Sequence, residues 1–451
     1  MLALACRWLM DQVIALPIRG EAFLLRSGQF RVLVDGGYDS RQLAAGLNKH
    51  LPGEDLDIVV CTHADSDHSG GLKDLLKHWQ VYDSDSGKNR CGRIGQFWLP
   101  GRWVDVLPEV LEAPGLVIDR LLQELDAIAS SQTEQLQSED EKTINGYLNH
   151  IVTMEHLERV LVLPDHDVSE NGQLDTSDFW GEGITDNDVD MDAIELLDEP
   201  EWMAHLRNGA KVWRLKRHNA IKAFASGQRR VRYRHSKGKI SQGLAKYWLE
   251  LITAAKNIRA IAEHAIEHKI PIRWFDFDEF TKTGQVQGGI RGVLMPLNSV
   301  EQSRPPLISV SYMAMLSPQN EASLVFMAPP RSCDFRFGVV FCGDSPLGYS
   351  KKYARSFFLD QPSPKLPVFA TAPHHGSESN AMAYDHLSNW TSVLGWLRTG
   401  GDRRHPGQTF KKFDFPRRVC SQCPQNSLEC RAAGFTLKMW IRVFAPHVCC
   451  C

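Results

Sequence analysis

Six residues, from His63 to His68, hold four side chains that bind metal ions. They are His63, Asp65, Asp67 and His68, spaced His-x-Asp-x-Asp-His. Imidazole together with carboxylate suits zinc, manganese or iron rather than calcium alone. Upstream, "LDIVVCTH" is a short continuous apolar run ending in polar residues, as a buried strand does. Downstream, "SGGLKDLLKHW" carries Leu72, Leu75 and Leu76 at helical spacing. The four residues therefore fall where a strand ends and a helix begins, where a rigid frame holds side chains over a cleft. The competing reading is a solvated polar turn, with Asp67 or Ser69 as helix cap.

More ligand-capable residues follow short apolar runs elsewhere. "VLVDGG" places Asp35 after a strand pattern, and "VVFCGDS" places Asp344. "APHHGSES" places His374 and His375, and "GGDRRHPGQTF" places His405. Taken singly, each fits an ordinary turn, and His405 fits a surface loop. Taken together they put polar ligands at the ends of successive buried strands, which is how a metal cleft at a sheet edge is built.

The elements that must carry these residues divide the chain. The 451 residues allow two or three domains, or one domain with a large insertion. Apolar content of 43% and charged content of 23% are those of a soluble globular protein. A net charge of −3 excludes any global charge argument for nucleic acid or membrane. No apolar run approaches the roughly 18 residues of a spanning helix. The opening "MLALACRWLMDQVIAL" is broken by Arg7 and Asp11 and lacks a basic leader, so a buried first strand or helix is expected. A cytoplasmic chain with no membrane association and mostly reduced cysteines, eleven in all, follows as the expectation.

Residues 1–103 read as strands and turns with one helix, including a hairpin around Ser27-Gly28 in "FLLRSGQFRVLVDGG". Residues 104–290 read as a helical insertion with segregated charge. No Lys or Arg lies between Arg159 and Arg207, a stretch that includes "ITDNDVDMDAIELLDEPE". Between Glu201 and Glu263 the only acid is Glu250. Residues 291–415 return to strands, in "ISVSYMAML", "ASLVFMAPP", "FGVVFCGDS", "VFATAPHHGS" and "SVLGWLRTGG". Residues 416–451 form a cysteine-rich tail, whose "CSQC" matches no standard zinc ribbon and reads as free or structural thiols.

Within the insertion, Arg229, Arg230, Arg232, Tyr233 and Arg234 combine cations with an aromatic ring, which suits single-stranded nucleic acid. The same pattern suits a solvated helix face, or a mate for the preceding acidic stretch. In the second case the acidic stretch would fold over the basic one as a lid. The insertion is also a candidate surface for a protein partner.

The order Asp-Gly-Gly, His-x-Asp-x-Asp-His-x-Gly-Gly, Ser-Leu-Val, Gly-Asp, Pro-His-His-Gly-Ser resembles the metallo-β-lactamase superfamily. Within it, the chain resembles the hydrolase domain of the ComEC DNA-uptake proteins, over roughly residues 12–100 and 292–415. The resemblance implies an α/β fold, an αβ/βα sandwich with the site at one edge between two sheets. It implies two divalent ions, Zn²⁺ or Mn²⁺. His63 and Asp65 would hold one, Asp67 and His68 the other, and Asp344 would bridge them. One histidine of the His374–His375 pair, with His375 favoured, would complete a sphere. Asp35 would orient a ligand loop by hydrogen bonds. Many superfamily members carry a ligand histidine before the Ser-Leu-Val strand. Here Gln319 and Asn320 stand instead, the ComEC branch also tending to lack that histidine, and more carboxylate with less imidazole shifts the preference towards manganese or another harder ion. The implied activity is a metal-dependent phosphodiesterase or nuclease acting on DNA, in a bacterial anti-phage or DNA-processing setting. Asp67 would orient the attacking water and His405 would bind a phosphate oxygen or protonate the leaving group. The alternatives are a small-molecule hydrolase for a lactone, thioester or cyclic nucleotide, and a non-catalytic scaffold that binds a partner through the insertion.

Overall fold

The computed structural model describes residues 11–83, 86–131, 203–204, 210–302, 312, 316, 320–330, 337–349, 353–401, 405–414, 417–422, 432–436 and 442–444. Two sheets dominate them. The first has nine strands, in spatial order Val300–Gln302, Ile272–Asp276, Ile94–Pro100, Leu56–Val60, Phe30–Val34, Phe23–Ser27, Gln12–Ala15, Ala433–Thr436 and Arg442–Phe444. The second has six, in the order Arg418–Cys420, Val393–Arg398, Val368–Thr371, Gly338–Phe341, Phe326–Ala328 and Met295–Pro296.

Alternation along each strand sorts side chains to two faces. Val32, Val34, Ile58 and Val60 of the first sheet pack with Phe326, Phe341, Phe369 and Leu397 of the second, forming one apolar layer between the sheets. Leu33 and Val59 point the other way, into a cluster with Leu244, Trp248 and Ile252 of the helix Gln242–Glu267. Met327, Val340 and Trp396 join Tyr384 and Leu387 of the helix Ala381–Trp390. The layers run helix, sheet, sheet, helix, so both faces of each sheet are covered. Removing an aromatic such as Phe341 from the middle layer costs about 3–5 kcal/mol.

The parallel strands matter most for the site. Phe30–Val34, Leu56–Val60 and Ile94–Pro100 run parallel in the first sheet. Gly338–Phe341, Val368–Thr371 and Val393–Arg398 run parallel in the second. Parallel strands end at a common edge, and the residues just past those ends converge there. The hairpin expected at Ser27-Gly28 joins Phe23–Ser27 to Phe30–Val34, with Gly28 at φ 55°.

Three features differ from the sequence reading. Within 104–290, expected to be helical, Ile272–Asp276 is a strand beside Ile94–Pro100. Its "IRWFD" is too short and too charged to stand out between helical patterns. Within 416–451, set apart as a tail, Arg418–Cys420 extends the second sheet and Ala433–Thr436 pairs with Gln12–Ala15. The helix after His68 is three short pieces, Ser66–Ser69, Leu72–Asp74 and Leu75–His78. Gly70 and Gly71 interrupt it where the chain crosses the Asp35 loop: Gly71 N–H donates to Gly37 O, and a Cβ on Gly71 would overlap the Gly36 carbonyl.

The acidic run 184–201, most of "ISVSYMAML", Gln319, and Cys423 with the cysteines beyond it lie outside the described residues. Among the described residues no helix is long and apolar enough to cross a membrane.

Candidate metal centre

Asp35 leaves its strand in the left-handed region, φ 61°, which turns its carboxylate back under the neighbouring strand end. There it accepts from Thr62 N–H and Thr62 Oγ–H, both at 2.8 Å, and lies 2.8 Å from His68 Nδ1. Asp35 and His68 are both wholly buried. With Nδ1 turned to Asp35, His68 presents Nε2 to Asp344 Oδ1, 3.2 Å away.

Asp65 is the residue that begins the helix Ser66–Ser69, yet its side chain makes no cap bond. It stands instead 3.8 Å from His63 Nε2. His63 Nε2 also lies 3.6 Å from Asp344 Oδ2, and its Nδ1 lies 3.0 Å from Thr62 Oγ1. From the far side, His374 Nε2 approaches the same Asp344 Oδ2 at 3.6 Å. Asp344 thus touches both halves of the group. Its own position is fixed by Ser323 Oγ, which accepts from Asp344 N–H, and by Asn380 Nδ2, which donates to Asp344 O.

Consecutive histidines ordinarily point apart. Here both His374 and His375 sit at positive φ, 47° and 55°, so the chain bends sharply and both rings stay over the edge of the sheets. His375 Nε2 lies 2.9 Å from Asp67 Oδ2. Its Nδ1 is 3.1 Å from Thr399 O and 3.1 Å from Glu21 Oε2. Asn320 is turned to the other nitrogen of His374, with Nδ2 3.2 Å from Nδ1. The His405 ring centre lies 5.6 Å from that of His374 and 5.8 Å from that of His375.

The structure therefore brings His63, Asp65, Asp67, His68, Asp344, His374 and His375 together, with Asp35, Asn320 and His405 around them. Two sets of ligand atoms each lie within 4.8 Å of one another: His63, Asp65 and Asp344, and Glu21, His68, Asp344 and His375. Buried atoms with no hydrogen-bond partner include His63 Nε2, His68 Nε2 and Asp344 Oδ1, so the 3.2 Å approach of the last two lacks hydrogen-bond geometry. Lone pairs from imidazole and carboxylate, buried and converging, fit a divalent cation.

Without a cation the electrostatics are mixed. Burial and then Asp67 push Asp65 up, and for His68 burial is outweighed by Asp344 and Asp35, which push it up, whereas three other groups lean towards their ligating forms. Burial, then the neighbouring His68, pushes His63 down to about 4, which leaves it neutral and able to bind metal. Burial also opposes ionisation of Asp344, but His374 and His68 outweigh it and hold the carboxyl well below its ordinary range. Asp67 is likewise held below the ordinary range: burial opposes this, and His68 and His375 overcome it.

Glu21 was not singled out in the sequence, although "RGEAF" places a lone acid beside an apolar strand. It is buried, and its N–H donates to Asp67 O at 2.7 Å. Gly20, at φ 88°, lets this contact form, since a Cβ there would sit 2.5 Å from Asp67 O. Asn257 is a second addition. It lies on Gln242–Glu267 and donates through Nδ2 to Ser69 Oγ at 3.0 Å, tying that helix to the ligand loop.

The basic residues lie elsewhere, on the helix Ala210–Ser236. Arg229, Arg230, Arg232 and Tyr233 are exposed. Arg230 pairs with Asp119 and Arg234 with Asp126, both on the helix Pro114–Ser131. Lys237 stands over the Tyr233 ring.

This geometry accords with known sequences. Residues 17–83 match the metallo-beta-lactamase superfamily. It is similar to the thioesterase pkgB of Emericella nidulans, 38% identical over 60 residues, 13% of this chain and 18% of that protein. It is also similar to the lactamase-like protein aptB of the same organism, 28% identical over 155 residues, 32% of this chain and 50% of that protein. The chain thus spans half or less of the length of these curated relatives.

Proposed function

We propose that the chain is a metal-dependent hydrolase acting on a small ester or thioester. The observation that carries the hydrolase reading is Asp344, shared between two convergent sets of ligand atoms at the sheet edge. His63, Asp65 and Asp344 would hold one divalent ion, and Asp67, His68, Asp344 and His375 a second. Bound there, the ions would supply a water of lowered pKa and positive charge against the developing oxyanion. Asp67 would hold and orient the attacking water. His405, beside the histidine pair, donates a proton to the leaving group. The helix Gln242–Glu267, tied to Ser66 and Ser69 by Asn257, holds the ligand loop in register. The ester or thioester preference is supported by the likeness to a protein named as a thioesterase.

A second reading, the ComEC-type nuclease acting on DNA, is favoured by Asp65, which enriches the ligand set in carboxylate and suits phosphoryl transfer through a harder ion. The exposed Tyr233 beside Lys237 adds a stacking platform to it. Against it, two of the five residues assigned to nucleic acid are already paired with acids of the same chain.

A panel separates the readings. Purified protein with Zn²⁺ or Mn²⁺ is given acyl thioesters, lactones, an aryl phosphodiester, and linear single- and double-stranded DNA. Thioester or lactone turnover that disappears in Asp67→Ala supports the first. Cleavage of DNA and the phosphodiester alone supports the second. No turnover by wild type, whatever the metal, sinks both.

A further inference from the structure

His375 sits between two carboxylates. Its Nε2 faces Asp67 at 2.9 Å, and its ring centre lies 5.3 Å from that of His68. Its Nδ1 faces Glu21 Oε2 and Thr399 O, each at 3.1 Å. The Thr399 carbonyl can only accept, so Nδ1 carries a proton, and the proton between Nε2 and Asp67 is the one a metal ion would displace. His68 is built the same way from an unrelated stretch of chain: Asp35 behind Nδ1, Asp344 before Nε2. A carboxylate behind a ligating imidazole fixes its tautomer and ring angle and raises its basicity.

We propose that Glu21 is a positioning residue for the second metal, holding His375 as an Nε2 ligand from behind. The inference rests on the metal-centre reading given above. Several features of Glu21 carry it. Its side chain is buried, its backbone N–H is bonded to Asp67 O, and its Oε2, which makes no hydrogen bond, lies 3.1 Å from His375 Nδ1 as an ion-pair contact. Although Glu21 counts among four residues whose ligand atoms cluster, its carboxylate lies at the rear nitrogen of His375 and not at the nitrogen facing Asp67. One backbone segment thereby sets two ligands of the same ion, Asp67 through its carbonyl and His375 through its ring.

The test is a metal titration against a competing chelator, read by elemental analysis, on full-length wild type, Glu21→Gln and Glu21→Ala. Glu21→Gln keeps shape and an accepting oxygen but loses charge. The expected result is unchanged occupancy of the first site and a second-site affinity lower by about 10–100-fold, with Glu21→Ala the weaker binder. In a His375→Ala background Glu21→Gln should then cause no further loss. Histidine-labelled nitrogen NMR of metal-loaded wild type should show His375 protonated at Nδ1, and this needs no variant to fold. A wild-type chain that binds two ions, with Glu21→Gln binding identically, overturns the Glu21 role alone. So does His375 protonated at Nε2. A wild-type chain that binds no ion overturns the metal centre as well.

Discussion

Asp35 and His68 meet at 2.8 Å across 33 positions of sequence, with no exposed surface on either side chain. The contact joins the end of the strand Phe30–Val34 to the short helix Ser66–Ser69 and aims one imidazole at Asp344. Because Asp35 stands at φ 61°, a replacement must tolerate the left-handed region, which asparagine does. Asp35→Asn therefore isolates the charge. It should keep the fold and weaken metal binding at His68 by about 10–100-fold, measured by competition with a chromogenic chelator.

Asp344 is common to both sets of ligand atoms, so its loss should differ in kind from the loss of either histidine. Asp344→Ala should abolish binding of both ions, whereas His63→Ala and His375→Ala should each leave one. Elemental analysis after desalting checks the three stoichiometries. Equal occupancy in Asp344→Ala and wild type would contradict the bridging position.

Chelation should lower thermal stability. His63 Nε2, His68 Nε2 and Asp344 Oδ1 are buried without hydrogen bonds, and two bound cations would satisfy them. Free metal at about 100 times its Kd adds about 2.7 kcal/mol by mass action. For a chain of this size that is a rise of a few degrees in the melting transition. Calorimetry with EDTA and with added Zn²⁺ or Mn²⁺ reads it directly.

The metal-free chain should also lose stability as pH rises. Burial pushes His375 down, but Asp67 and Glu21 hold it up at about 10, against 6.5 for the ordinary group. A pKa raised on folding favours the folded state fully below 6.5, and that contribution is lost between 6.5 and about 10. Melts of chelated protein should fall across this window, and less so in His375→Ala. Metal affinity should rise over the same window, since the proton on Nε2 competes with the ion.

The basic helix offers a test of the DNA reading. Replacing Arg229 and Arg232 should leave salt-dependent DNA binding unchanged if the helix is only a solvated face. A lost affinity with a shallower salt slope would instead mark phosphate contacts. Replacing Arg230 or Arg234 should cost about 0.2–1 kcal/mol of stability, because each breaks a surface pair to the helix Pro114–Ser131.

Much of the centre was legible because its residues come directly after short apolar runs. His63, Asp344 and His374 each follow a buried strand by only a few residues, and parallel strands share an edge. What escaped depends on distance in sequence. Glu21 meets His375 across most of the chain, and nothing local to "RGEAF" announces it. The strand Ile272–Asp276 escaped because "IRWFD" carries charge at both Arg273 and Asp276. Arg273 is accommodated by Glu301 and the Trp98 ring, neither of them near in sequence. Nor does the sequence reveal that His374 and His375 both face the site. That needs two successive residues in the left-handed region.

The pairing of Gln12–Ala15 with Ala433–Thr436 has a temporal consequence. The first sheet finishes only when segments more than 400 positions apart meet, from Gln12 to Thr436. Contacts so remote must await loop closure and form slowly. Glu21 adjoins the early segment, whereas His375, Thr399 and His405 come late in translation. The ligand loop around His63 can emerge and collapse on its own strand well before its counterparts exist. Assembly of the full centre is therefore a late event in the maturation of the chain, and a partly synthesised chain holds only half of its donors.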